Sequence, residues 1–105
     1  MLEEDLTQGE RLYLTRFKAK MNPKKMATAL GVDLGLYLSW EADELEGPML
    51  NVDLDPVDVF VILRFRSAWT QKEVARKMGI SEEQIGRIER GLRPPDRLLH
   101  FWGLA

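Results

Sequence analysis

TQKEVARKMGISEEQIGRIERG, residues Thr70 to Gly91, is the stretch that decides the fold of this 105-residue chain. Thr70 followed three residues later by Glu73 is the pattern of a capping box, which predicts that a helix begins here. Gly79 can adopt the positive φ that ends this helix, and Ser81 is a preferred N-cap residue for a second one. The stretch therefore predicts two short helices joined by one fixed turn, with Gly91 closing the unit.

The apolar residues of this stretch fall at helical spacing. Val74, Ala75 and Met78 form one face of the first predicted helix, and Ile85 and Ile88 form one face of the second. The other side chains of the second helix are polar, and we expect them to point outward: Glu82, Glu83, Gln84, Arg87 and Arg90. Two crossed helices that present one polar face are the predicted result.

The pattern resembles the helix-turn-helix of the Cro and repressor proteins of lambdoid phages and of the wider Xre-like regulators. The residues that carry the resemblance are Trp69, Thr70, Gln71, Val74, Ala75, Gly79, Ile80, Ser81, Ile85, Glu89 and Gly91. The resemblance also implies that Arg64, which precedes the pattern, forms a structural ion pair with Glu89.

A second, diverged copy of the pattern is predicted nearer the N-terminus. A shift of about 48 residues superposes Gly31 on Gly79, Arg16 on Arg64 and Glu41 on Glu89. Asn22 with Pro23, and then Asp33, fit the N-caps of the two helices of this copy. By analogy, Arg16 and Glu41 are predicted to pair. The alternative is that two unrelated helical hairpins with glycine turns share this similarity by chance.

These patterns predict an all-α fold. We expect a tandem pair of lambda-repressor-like helix-turn-helix units sharing a compact helical core. Residues 1–52 form a degenerate repeat used for packing or dimerisation, and residues 53–105 form the Xre-like DNA-binding repeat. Three further helices are predicted, over residues 7–20, 56–68 and 97–103. Asp55 is the predicted N-cap of the second of these, with Pro56 at its first helical position. Their apolar residues include Phe60, Val61, Leu98 and Trp102.

Composition and charge limit the classes of function. The chain has no cysteine, which excludes disulfides and thiolate metal sites, and its formal net charge is −2. From 63 to 97, however, nine basic residues face five acidic ones, whereas residues 1–51 carry six basic and nine acidic side chains. No apolar run is long enough to span a membrane, and the acidic start is unlike a signal peptide, so a cytoplasmic protein without membrane association is expected. No nucleophile with a base, carboxylate pair or phosphate-binding loop appears at useful spacing, so we expect neither an enzyme nor a metal or other cofactor.

The outward face of the second copy is the predicted DNA-binding site. The resemblance implies that its helix 81–90 reads the major groove, with base-facing or near-groove residues Gln71, Ser81, Glu82, Glu83, Gln84 and Arg87. Arginine can bridge guanine, and glutamate can accept from the cytosine amino group. The phosphate contacts are predicted at Arg66, Lys72, Arg90 and Arg93. The two glutamates at the helix start are also what the helix dipole prefers, which leaves a purely structural role open for them.

The first copy departs from this polar pattern. It carries Leu34, Gly35, Leu36 and Ser39 where the second copy carries Glu82, Glu83, Gln84 and Arg87. An apolar strip on an exposed helix is typical of a protein contact, so Leu34, Leu36 and Leu38 are predicted to form a homodimer seam or to pack elsewhere within the chain.

Two classes of function follow from the two faces. The first is a sequence-specific DNA-binding transcription regulator of bacterial or phage type, such as a repressor, that binds double-stranded operator DNA as a homodimer. The second is a protein-interaction module on the same scaffold, acting as an antitoxin, inhibitor or adaptor. The acidic total and the apolar first copy favour the second class, and the basic second copy favours the first.

Overall fold

A computed structural model describes residues 1–104, and over these residues the chain is helical with no β-strand. A short 3-10 helix, Glu3–Asp5, precedes seven α-helices. They are α1 (Gln8–Lys18), α2 (Pro23–Leu30), α3 (Leu34–Glu41), α4 (Asp58–Arg66), α5 (Gln71–Met78), α6 (Glu82–Glu89) and α7 (Asp96–Phe101). The predicted all-α class is confirmed.

The chain divides into two compact units. Unit 1 is Met1–Leu54 and contains α1 to α3, and unit 2 begins at Asp55 and contains α4 to α7. Unit 1 carries six basic and ten acidic side chains, a net charge of −4, whereas the nine basic and seven acidic side chains from residue 55 onward give +2.

Unit 2 is built around one apolar cluster that all four of its helices supply. The buried members are Phe60, Val74, Ala75, Ile85, Ile88 and Leu98. Three aromatic rings meet at the edge of this cluster. Trp69 is stacked on Trp102 with 5.5 Å between the ring centroids, and Phe101 meets Trp102 edge-on with 5.1 Å between the centroids. The closing helix α7 therefore packs inward through Leu98 and its aromatic neighbours.

The start of α4 differs from its prediction by two residues. Asp55 with Pro56 fits an N-cap followed by the first helical position, but α4 begins at Asp58 with Val57 in the N-cap position. The Asp58 carboxylate accepts the backbone N–H of Asp55 at 2.8 Å, and the Asp58 N–H donates to the Asp55 carbonyl at 3.0 Å. These two bonds close a turn over residues 55–58, so the helix starts only after it.

Unit 1 has its own apolar cluster, made of Leu12, Met26, Ala27 and Tyr37. Tyr37 is fully buried in this cluster, whereas Trp40 is half-buried and packs at its edge. The helix α1 is capped at Thr7 by a full capping box with Glu10, close to the predicted start. The Asp43 carboxylate also accepts from the N–H of Gly9 at 3.0 Å and from the Thr7 hydroxyl at 2.7 Å, which fixes the start of α1 against the end of α3.

Helix bounds and left-handed residues of unit 1 recur in unit 2 at a spacing of 48 residues. Adding 48 to the bounds of α2 and α3 gives the bounds of α5 and α6. Three pairs of left-handed residues have the same spacing. Their φ values are +73° at Gly31 and +71° at Gly79 for the first pair, and +58° at Lys20 and +56° at Ala68 for the second. In the third pair φ is +58° at Asp43 and +76° at Gly91. The non-glycine members of this set adopt a conformation that costs L residues roughly 1–2 kcal/mol.

Candidate nucleic-acid interface

The helices α5 and α6 and the turn between them have the predicted local geometry. The Thr70 side chain accepts from the Glu73 N–H, and the Glu73 carboxylate accepts from the Thr70 N–H, which completes a capping box. Gly79 ends α5 in the left-handed conformation, and its N–H donates to carbonyls of the preceding turn. The Ser81 hydroxyl then accepts the N–H of Gln84 at 3.2 Å and so caps α6.

A buried ion pair ties α6 to α4. Nε and Nη2 of Arg64 donate to the two carboxylate oxygens of Glu89 at 2.8 and 3.0 Å. The side chains are only 4% and 1% exposed. Gln71 adds a third bond, because its Nε2 donates to Oε1 of Glu89 at 2.9 Å. The side chain that begins α5 thus shares the carboxylate with the arginine.

Unit 1 contains the equivalent pair. Nε of Arg16 lies 2.8 Å from Oε2 of Glu41, and the side chains are 17% and 9% exposed. The Tyr37 hydroxyl takes the third place, since it donates a short hydrogen bond to the Glu41 carboxylate. Burial, together with this bond to Glu41, raises the pKa of the Tyr37 hydroxyl above its ordinary value.

The six residues predicted to read bases lie in different environments. Ser81, Glu82, Glu83 and Arg87 are exposed, whereas Gln71 and Gln84 are half-buried. Gln84, which is predicted to point outward with the glutamates, is half-buried, and its role at a base stays a prediction. Because the Gln71 amide already donates to Glu89, this side chain contributes to the scaffold, and its role at a base stays a prediction.

Glu83 and Arg87 form an ion pair on the solvent side of α6. Nη2 of Arg87 donates to Oε1 of Glu83 at 2.5 Å, with side-chain exposures of 47% and 70%. The spacing of four residues, with the acid nearer the N-terminus, is the favourable orientation for a helix pair. An acid followed four residues later by a base is a signal for such a pair that the sequence itself carries.

The four residues predicted to contact phosphate are all exposed, and they are Arg66, Lys72, Arg90 and Arg93. The exposed residue Lys77 places its ammonium group 4.6 Å from the centre of the Trp69 ring. This cation–π contact covers part of the aromatic cluster of unit 2.

Comparison with known families identifies this unit. Residues 66–98 match the family model described as helix-turn-helix, a segment that runs from the end of α4 into α7. Over this segment, which is about a third of the chain, the sequence is similar to helix-turn-helix domains. Such domains are typical of DNA-binding regulators. A search of curated proteins and a search of solved structures each gave no significant match. No helix within residues 1–104 is long and apolar enough to cross a membrane.

Unit 1 has helices α2 and α3 at positions equivalent to α5 and α6, but not their polar residues. At the positions equivalent to the ten predicted DNA-contacting residues it carries Lys18, Pro23, Lys24, Asp33, Leu34, Gly35, Leu36, Ser39, Ala42 and Leu45. Two lysines are the only cations in this set. Leu34 and Leu38 are 40% and 45% exposed, and Leu36 between them is half-buried. The predicted protein-contact strip is therefore exposed at its two ends.

Proposed function

We propose that this protein is a sequence-specific DNA-binding transcription regulator of bacterial or phage type, which reads the major groove with α6. The contrast between the two units carries this proposal. They have equivalent helix bounds, turn conformations and a bidentate ion pair, yet five charged residues of unit 2 have no charged counterpart in unit 1, and these are Glu82, Glu83, Arg87, Arg90 and Arg93. Because the scaffold is common to both, the polar face of unit 2 is a feature that the fold does not require.

Residues on this face divide by the kind of DNA contact they can make. Arg87 stands on the exposed side of α6 within its helical part, where a guanidinium can reach a base edge. Arg90 follows the last turn, and together with Arg66, Lys72 and Arg93 it is suited to bind phosphate. Binding, rather than catalysis, is the proposed activity of the chain.

We further propose that unit 1 is a diverged tandem copy that has exchanged DNA contacts for a protein contact. Its third helix, α3, exposes Leu34 and Leu38, and its one charged side chain, Glu41, is buried against Arg16. A second copy of the chain is the simplest partner, and a symmetric dimer would present two α6 helices to half-sites about one helical turn apart. An antitoxin or adaptor would use the same strip to bind a different protein, which is the competing function.

The test is an electrophoretic shift assay with a pool of random duplexes, at two salt concentrations, followed by sequencing of the bound fraction. A regulator enriches a defined sequence and binds more weakly at higher salt. We expect Arg87→Ala to lose roughly 1–3 kcal/mol of preference for that sequence, while Arg90→Ala weakens binding to all duplexes alike. If the parent enriches no sequence and retains no duplex at low salt, the protein-interaction function replaces this one.

A further inference from the structure

The ion pair on α6 has unused hydrogen-bonding groups on both of its members. Arg87 engages Glu83 through Nη2, and Glu83 accepts through Oε1. A guanidinium has five N–H donors and a carboxylate has two acceptor oxygens, so donors on Nη1 and Nε, and the second oxygen of Glu83, stay available to a ligand. The intact pair therefore presents donors beside an acceptor.

This arrangement is complementary to one base pair in the major groove. Guanine offers two acceptors, N7 and O6, and the cytosine paired with it offers a donor, the N4 amino group. In an A·T pair the adenine amino group stands next to N7, and thymine O4 is an acceptor. A guanidinium would then face a donor, and a carboxylate would face an acceptor. A reversed C·G pair puts the carboxylate against guanine N7 and O6. A reversed T·A pair gives the carboxylate the adenine amino group but gives the guanidinium a single acceptor, thymine O4, beside the thymine methyl group, so only G·C supplies two acceptors to Arg87 and a donor to Glu83.

We infer that Glu83 and Arg87 read a single G·C base pair as a preassembled unit, with Arg87 on the guanine and Glu83 on the cytosine amino group. The inference rests on the proposed function, because it requires α6 to enter the major groove. It makes Glu83 a specificity-determining residue. Glu82, which precedes it by one position, is exposed but lies about 100° around the helix from Glu83, outside this pair.

Holding the pair together before binding has two physical consequences. The guanidinium and carboxylate are already oriented, so less side-chain freedom is lost on contact with the base pair. The carboxylate also stays neutralised by Arg87 as it approaches the phosphates, whereas a lone glutamate would be repelled. Glu83 can therefore accept from cytosine with a smaller loss of affinity than an unpaired acid would cause.

The experiment removes one amino group from the DNA. The sequence enriched by the parent is synthesised with 2-pyrimidinone, which lacks the 4-amino group, in place of the cytosine at the G·C pair whose preference Arg87→Ala abolishes. Dissociation constants are measured for the parent, Glu83→Ala and the control Glu46→Ala, which removes an exposed acid of unit 1 outside the predicted DNA-contacting residues, with circular dichroism to confirm that each variant is helical. We expect the parent and Glu46→Ala to lose about tenfold in affinity on the modified duplex, the effect of leaving a charged group without its hydrogen bond, and Glu83→Ala to be unaffected by the modification.

The outcomes separate this inference from the function on which it rests. Equal losses in the parent and Glu83→Ala would overturn the inference, as would a preference at the Arg87-dependent position for any pair other than G·C. Both results leave a sequence-specific DNA-binding protein in place. A parent protein that enriches no sequence overturns the proposed function, and with it the inference that Glu83 and Arg87 read one base pair together.

Discussion

Breaking the ion pair of unit 2 should destabilise that unit severely. Glu89→Gln keeps the size of the side chain but removes its charge, and the new amide N–H group opposes the donors of Arg64. The guanidinium is then left buried without a counter-charge, because the side chains of Arg64 and Glu89 are only 4% and 1% exposed. Removing one member of a buried pair costs about 3–5 kcal/mol.

That cost is a large fraction of what a unit of this size can have. Whole domains are stable by about 5–15 kcal/mol, and units as small as about 50 residues lie near the lower limit. Glu41→Gln is the matched variant in unit 1, and we expect it to cost less. The side chain of Arg16 is 17% exposed, so water can solvate part of its charge.

The three tryptophans allow both units to be followed in one urea titration. Trp40 lies in unit 1, and Trp69 and Trp102 lie in unit 2. The indole N–H resonances therefore report the unfolding of each unit separately by NMR. In Glu89→Gln we expect the Trp69 and Trp102 signals to be lost at a much lower urea concentration than in the parent.

A double variant tests the physical reason. Replacing both members with apolar residues, as in Arg64→Met with Glu89→Leu, leaves no buried charge and should recover most of the loss. If Glu89→Gln alone lowers the stability of unit 2 by less than about 1 kcal/mol, the value of an exposed pair, then the pair does not act as a buried one and the reasoning fails.

Three further results are expected in unit 1. Gly9→Ala should destabilise it, because a Cβ there would lie 2.1 Å from the carbonyl oxygen of Glu41, whereas Gly35→Ala meets only a side-chain oxygen at 3.3 Å and should leave the thermal midpoint unchanged or higher. The stability of unit 1 should fall as pH rises above about 10. The raised pKa keeps the Tyr37 hydroxyl neutral in the folded unit, whereas the same hydroxyl ionises in the unfolded chain. A urea midpoint that stays the same between pH 9 and 11 would contradict this. Because Leu38 is exposed, Leu38→Glu should leave unit 1 folded but weaken the self-association of the chain measured by sedimentation. A parent protein that is monomeric at high concentration would refute the dimer seam.

The α5–turn–α6 motif could be predicted from sequence because each of its signals is local. Thr70, Gly79 and Ser81 act within three or four residues of their own positions, through a cap or a turn conformation. The left-handed residues Lys20, Asp43 and Ala68 carry no such signal, since each occupies a conformation that glycine favours. The spacing of 48 residues relates Lys20 to Ala68 and Asp43 to Gly91, and no other feature of the sequence indicates their conformation.

Two features of the predicted site could not be read from the sequence. The half-burial of Gln84 and the bond from Gln71 to Glu89 depend on how helices cross, which periodicity within a single helix does not specify. A helical wheel assigns Gln84 to the polar face by its chemistry alone. A base-contacting role is therefore hardest to predict from sequence for residues at the border between the polar and apolar faces of a helix.

The two units have equivalent helix bounds over α2–α3 and α5–α6 but present different side chains. Both have three left-handed residues at a spacing of 48 and an arginine–glutamate pair 25 residues apart. What differs is what the shared frame presents, an acidic unit with exposed leucines on α3 and a basic unit with the Glu83–Arg87 pair on α6. Conserving the buried pair keeps the frame stable in both units, since losing either partner leaves an uncompensated charge. The exposed positions are free of that constraint, and substitution there can therefore change the partner of a unit without changing its fold.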